Sequence, residues 1–210
     1  MDKVKLTKNS KISARNRFLW QVELVVTIDA NHLEGSLGGW VEGVSNITNP
    51  DTGDLDGIIL DDAEIFDSAK LYGGAIMRDN AQAGDSVVLR DNADVGGNTR
   101  LHDTTIIEGG AVIKGNLLCV GASRVHNSVN LFGDLTLKNT ELSETPYQIQ
   151  GSKHTAMYYN GLLHVGCAVG SIENIIENIS ILGERAGYTP FEIQEYLGYC
   201  NRIKDKYAVQ

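Results

Sequence analysis

No stretch of this 210-residue chain approaches the roughly 18 consecutive uncharged apolar residues of a membrane-spanning helix. The N-terminus, Met1-Asp2-Lys3-Val4-Lys5, lacks the long apolar segment of a secretory signal, so a cytoplasmic location is expected, with no membrane partner. Cys119, Cys167 and Cys200 are odd in number, widely spaced and in no paired motif, which argues against a disulfide framework or a zinc knuckle. Positive charge is also scarce. Lys and Arg number 18 against 27 Asp and Glu, leaving a formal net charge of −9. That balance disfavours direct nucleic-acid binding and permits a protein partner with a basic surface.

What the chain does have is a period of six. In frame from Gly57 it reads GIILDD, AEIFDS, AKLYGG, AIMRDN, AQAGDS, VVLRDN, ADVGGN, TRLHDT, TIIEGG, AVIKGN, LLCVGA, SRVHNS, VNLFGD, LTLKNT, fourteen hexads without an insertion. The third position, from Ile59 to Leu137, is apolar in all fourteen and must face a core. The fifth is always Asp, Gly or Asn, the residues that tolerate a left-handed backbone, and must be a corner. Fourteen consecutive hits of this kind have chance odds of roughly 10⁻⁸. The first position is mostly small, as expected where the chain turns inward beside a large neighbour. Strand, corner, strand, corner gives flat faces. Three faces close a triangular coil of eighteen residues, and the fourteen hexads make nearly five coils stacked at about 4.8 Å.

This pattern resembles the hexapeptide-repeat superfamily, whose fold is the left-handed parallel β-helix; the handedness is what the resemblance implies. The hexads around "LYGGA" and "LRDNA", preceded by Leu37-Gly38-Gly39-Trp40-Val41-Glu42, also look like β-helical proteins of phages and prophages. The expected fold is therefore an all-β solenoid with a C-terminal α-helical hairpin. Residues 1–56 form an N-terminal strand and cap, 57–140 the β-helix, 141–170 a β-hairpin-like connection and 171–210 the helical hairpin.

A coil stack exposes a sheet edge at each end, and such edges need covering. Trp20 to Ile28 reads as a strand, Gly38-Gly39-Trp40-Val41 as a turn entering a first imperfect coil near Ile47, and 49–56 as a loop. Tyr147 to Cys167 carries two strand-like runs about an Asn160-Gly161 turn. Ser171 is an N-cap for a helix with the stripe Ile172, Ile175, Ile176, Ile179, Leu182, ending at Gly187. Thr189-Pro190-Phe191-Glu192 is a capping box with proline at the first helical position. It opens a second helix with Ile193, Tyr196, Leu197, Cys200 and Ile203 on one face. The two helices are expected to pack on each other and on the last coil or a neighbouring subunit.

Well-known hexapeptide-repeat proteins are acyltransferases whose base and donor site depend on loops leaving the coils. No such loop interrupts 57–140, and His102 and His126, both at the outward fourth position, lie 24 residues apart and cannot stack. Residues eighteen apart are vertical neighbours, so Tyr72, Arg90, Glu108 and His126 form one column, either a recognition strip or an ion-pair ladder that favours cross-strand pairing. Asp67, Asp85 and Asp103 stack at one corner, either calling for a cation or basic partner or simply forming turns. A metal at His164 and Cys167, with His154 or Cys200, lacks a second clear pair, and no metal or cofactor is expected. Ile76, Val88, Ile106, Val112 and Phe132 on the prism, with Ile175, Ile179, Leu182, Ile193, Tyr196 and Leu197 on the helices, are the expected oligomer or packing face. The resemblance makes a homotrimer the first expectation. The reading that results is a non-catalytic structural or protein-binding module, phage-encoded and oligomeric, acting in the host cytoplasm as an inhibitor of a defence system. The alternative is an acyltransferase-like enzyme with an inter-subunit site around His126, His102 or His164.

Overall fold

The structure, a computed structural model, describes residues 1–207, so the last three residues of the expected 171–210 hairpin lie outside the described part. By compactness the chain divides into two units: Met1–Leu131 with Leu137–Thr145, and Phe132–Thr136 with Pro146–Gln210.

The first unit is a parallel β-solenoid of about five turns. One face runs Trp40, Glu64, Gln82, Arg100, Leu118 in parallel register. A second runs Ile58, Ile76, Asp94, Val112. The third runs Lys70, Val88, Ile106, Arg124, Glu141, its last step 17 residues rather than 18. The period of six accounts for this geometry residue by residue. Every third-position side chain from Ile59 to Leu137 is at most 2% exposed. All fourteen fifth positions, Asp61 through Asn139, have positive φ, where Asp, Asn and Gly pay the smallest steric penalty. Two strands, Val112–Val120 and Asn130–Lys138, run on through the corners at Gly115 and Gly133.

Strands β1 (Val4–Ile12), β2 (Phe18–Leu24) and β3 (Leu37–Val41) form an antiparallel ribbon whose last member pairs parallel with Glu64–Ile65, extending the first face. The strand expected from Trp20 to Ile28 thus stops at Leu24. The turn expected at Gly38–Val41 is a strand, because its glycines serve close approach: a Cβ on Gly39 would stand 2.7 Å from the Ala63 carbonyl oxygen and 2.7 Å from the Ile59 side chain. The end of the third face is closed by Asn46. Its Nδ2 donates to the carbonyls of Asp67 (3.1 Å) and Ala69 (2.9 Å), while its Oδ1 accepts from Gly43 N–H at 3.0 Å.

The second unit contains a four-stranded antiparallel meander, Tyr147–Gln150, Thr155–Tyr159, Leu162–Val165 and Ala168–Gly170, where two strands were expected. The Asn160-Gly161 turn is in place, with φ of 50° and 79°. Helices α1 (Ile172–Arg185) and α2 (Pro190–Tyr207) follow. Ser171 Oγ accepts from Asn174 N–H, and Thr189 and Glu192 exchange both bonds of the capping box. The helical stripes meet each other and the meander: Ile175, Ile179, Tyr196, Cys200 and Ile203 share one core with Ala156 and Leu163. No helix among the described residues is long and apolar enough to cross a membrane.

Candidate functional site

On the third face Glu108, whose side chain is only 8% exposed, is gripped from both sides. Arg90 Nε donates to its Oε2 at 2.7 Å and Arg124 Nε to its Oε1 at 2.7 Å. Burial pushes the Glu108 carboxyl up, but the hydrogen bonds from Arg124 and Arg90 outweigh it and hold the group below its ordinary value. Arg90 is raised by its bonds to Glu108 and Tyr72. Three members of the expected column, Tyr72, Arg90 and Glu108, are therefore together. The fourth is displaced: Arg124, not His126, completes the clamp, while His126 Nε2 lies 3.3 Å from Glu141 without hydrogen-bond geometry. Counting by 18 misses this because the contact is diagonal, from a fourth position to a second position 16 residues on. Arg78 reaches Asp94 by the same step, at 2.9 Å.

The aspartate corner is a chain of acceptors. Asp67 Oδ2 accepts from Asp85 N–H (3.3 Å), Asp85 Oδ2 from Asp103 N–H (3.0 Å) and Asp103 Oδ2 from Gly121 N–H (2.7 Å). The same contact runs from Asp61 to Asp79 and from Asp79 to Gly97 at another corner. Each carboxylate satisfies an amide of the next coil, which is why the stack tolerates its own repulsion. The β1–β2 turn supplies cations as well. Arg17 pairs with Asp67, and Arg15 Nη2 lies 2.8 Å from His102 Nε2 while its guanidinium covers Phe66. His102, 3.5 Å from Asp85, is lowered by burial and then by Arg15. A basic group does sit on the corner, and this chain contributes it.

The expected packing positions separate into two kinds. Ile76, Val88, Ile106 and Val112 are partly exposed and Phe132 is exposed. Ile175, Ile179, Ile193 and Tyr196 are buried within their own unit, with Leu182 and Leu197 partly buried against its core.

The second unit holds a cavity of about 400 Å³. Its floor is apolar: Val165, Ile175, Ile179 and Leu182, with Ala168 beside them. The rings of His154, Tyr188 and Tyr196 form the other wall, His154 and Tyr188 stacked with centroids 5.9 Å apart and Tyr188 5.1 Å from Tyr196. The Tyr196 hydroxyl is fully engaged, accepting from the N–H groups of Lys153 (2.9 Å) and His154 (2.5 Å) and donating to the His154 carbonyl (2.9 Å), so only its ring faces a guest. Cys167 and Arg185 complete the rim. Gly166, at φ 58°, turns the chain into Cys167, and a Cβ there would press on the His154 ring at 3.0 Å. Of the three thiols only Cys167 is exposed; burial pushes Cys119 up to about 12 and Cys200 up to about 11.

His164, grouped with Cys167 by sequence spacing, is buried opposite Met157, on the meander face turned away from the helices. Burial lowers its pKa and its Nδ1 has no hydrogen-bond partner. No group of three or more His, Cys, Asp or Glu among the described residues is placed to hold a metal ion. Sequence reasoning marked Cys167 and His154 but not the cavity, which needs a turn, a helix end and a second helix brought together by packing. No protein-family model, no curated protein and no solved structure matches the chain.

Proposed function

We propose that this protein is a non-catalytic protein-binding module: a rigid acidic β-solenoid of the hexapeptide-repeat, left-handed kind, homo-oligomeric and encoded by a phage. In this reading it works in the host cytoplasm, where its surface engages a component of a defence system. One observation carries the binding part. Most polar groups of the solenoid that chemistry would require are committed to the scaffold: corner carboxylates to amides, Glu108 to two arginines, His102 to Arg15 and Asp85; His126, 3.3 Å from Glu141 without hydrogen-bond geometry, is the exception. Apolar side chains remain outside, notably Ile12 at 67% and Phe18 at 50% exposure, directly paired across the β1–β2 ribbon. An apolar pair on a rigid edge is suited to burial against a protein, not to turnover. The phage element rests on the resemblance of the hexads and of Leu37 to Glu42, and the defence element on nucleic-acid mimicry by the acidic surface of a chain with a formal net charge of −9.

Two measurements test the reading. Light scattering on the intact protein is expected to give a multimer, a trimer first, and Ile12→Asp with Phe18→Asp is expected to weaken self-association or partner capture. Calorimetric titration with acetyl-CoA is expected to give no saturable heat; saturable binding would replace this proposal with the acyltransferase reading.

A further inference from the structure

The cavity is lined by residues of the second unit alone, and its lining specifies a ligand class. Its volume of about 400 Å³ falls within the range of small-molecule sites, roughly 300–1,000 Å³. Aliphatic side chains of α1 and the aromatic wall of His154, Tyr188 and Tyr196 favour a flat apolar body, and Lys153 Nζ, 5.0 Å from the Tyr188 ring centroid, adds a cation beside that wall. The Tyr196 hydroxyl is saturated by the 153–154 backbone, which leaves the His154 imidazole and the Tyr188 hydroxyl as the polar groups of the aromatic wall. At the rim stands Arg185, exposed and without an ion pair among the described residues. A guanidinium so placed matches a carboxylate in a planar, two-pronged contact.

We propose that the second unit binds a small planar aromatic carboxylate, its ring against Tyr188 and the Ile175–Ile179–Leu182 wall and its carboxylate on Arg185. Hydrophobic burial supplies most of the affinity, and the Arg185 contact selects acids over their neutral analogues. Cys167 lies on the same rim and is covered when the cavity is filled.

That placement gives a readout in the intact protein. Cys167 is the one exposed thiol, so a small uncharged alkylating reagent such as iodoacetamide, which is not itself an aromatic acid, reports on it selectively. Naphthalene-1-carboxylate is expected to slow this reaction saturably, and naphthalene-1-carboxamide to do so about fivefold more weakly. Arg185→Gln is expected to abolish that difference, since a rim ion pair is worth about a factor of five at most. Leu182→Trp, which fills the cavity, is expected to remove protection by both compounds. Equal protection by acid and amide in the unaltered protein would overturn the carboxylate assignment. No protection by either would overturn the site, as would full protection in a folded Leu182→Trp variant. If that variant does not fold, the surface substitution Arg185→Gln decides alone, and an unchanged acid preference in it sinks the proposal.

Discussion

Asp85 and Tyr196 meet the same need, a backbone amide without a secondary-structure partner, in units built on opposite plans. Asp85 accepts one N–H, that of Asp103 eighteen residues ahead, and its own N–H is accepted by Asp67 eighteen residues behind. The corner is a series of equivalent parts in which each carboxylate serves one amide and its neighbours serve their own. Tyr196 has no equivalent. Its hydroxyl alone makes three bonds to residues 153–154, while its ring contacts Tyr188 and Tyr199. A solenoid spreads its stability over repeats, whereas the helical unit concentrates it at a hub.

The strongest way to break that contrast is to injure both places. Tyr196→Phe keeps the ring but leaves the Lys153 and His154 amides without their acceptor, while the His154 carbonyl keeps the Gly151 N–H, and is expected to cost about 3 kcal/mol. Hydrogen exchange read by mass spectrometry should rise across 147–207 and stay unchanged across 57–131; a rise in both would mean that the units unfold together. Asp85→Ala removes one acceptor and forces alanine to a φ of 53°, with an expected loss of about 2 kcal/mol. Asp85→Asn keeps both the acceptor and the tolerance of positive φ, and should cost less than about 1 kcal/mol. Equal melting temperatures for the two Asp85 variants would show that the carboxylate charge, not the backbone, is what the corner uses.

The same contrast explains which parts were legible in the sequence. A repeat states its geometry fourteen times, so the inward third positions and positive-φ fifth positions were readable at Ile59 and Asp61 and at every later hexad. The helix caps at Ser171 and Thr189 were readable too, because a cap is local chemistry. The ribbon over the first coils had a signal that was not used: Leu60 and Phe66 are apolar at outward fourth positions and are fully buried, so something had to cover them. The diagonal Glu108–Arg124 contact needs the sheet's stagger in addition to its period. The cavity had no periodic signature, since its lining runs from His154 to Tyr196 and is assembled only by tertiary packing.

Charge offers a finer test. Glu108→Gln leaves Arg90 and Arg124 facing each other without a compensating charge; because their side chains are 41% and 45% exposed, water screens the pair and the expected loss is about 1 kcal/mol. The Glu108 pKa is lowered in the fold, so its contribution is present above the ordinary value of 4.5 and is lost as pH falls through the lowered one. The melting-temperature gap between the wild type and Glu108→Gln should therefore close in acid and persist at neutral pH. A gap of constant size from neutral to acidic pH would assign the loss to packing.

The smallest expected effect has the opposite sign and tests whether the first unit also contains a one-off contact. His32, in the segment between β2 and β3, places Nε2 3.1 Å from Asp61 Oδ1 and Nδ1 2.8 Å from Asp29 Oδ1. Arg78 stands 3.9 Å from Asp29 on the far side, and Asp61 already serves the Asp79 amide through its other oxygen. The bond to Asp61, then the one to Asp29, raises the His32 pKa above its usual 6.5 against the opposing effect of burial. A raised pKa stabilises the fold fully below 6.5 and ceases to do so as pH rises through the folded value. His32→Gln should therefore lower the melting temperature most on the acidic side of neutrality and progressively less in alkali, by well under about 1 kcal/mol throughout. Should the difference instead grow with pH, the neutral imidazole would be the stabilising form. The segment would then be held by the ring's shape and hydrogen bonds, as Tyr196 holds the other unit, and not by charge.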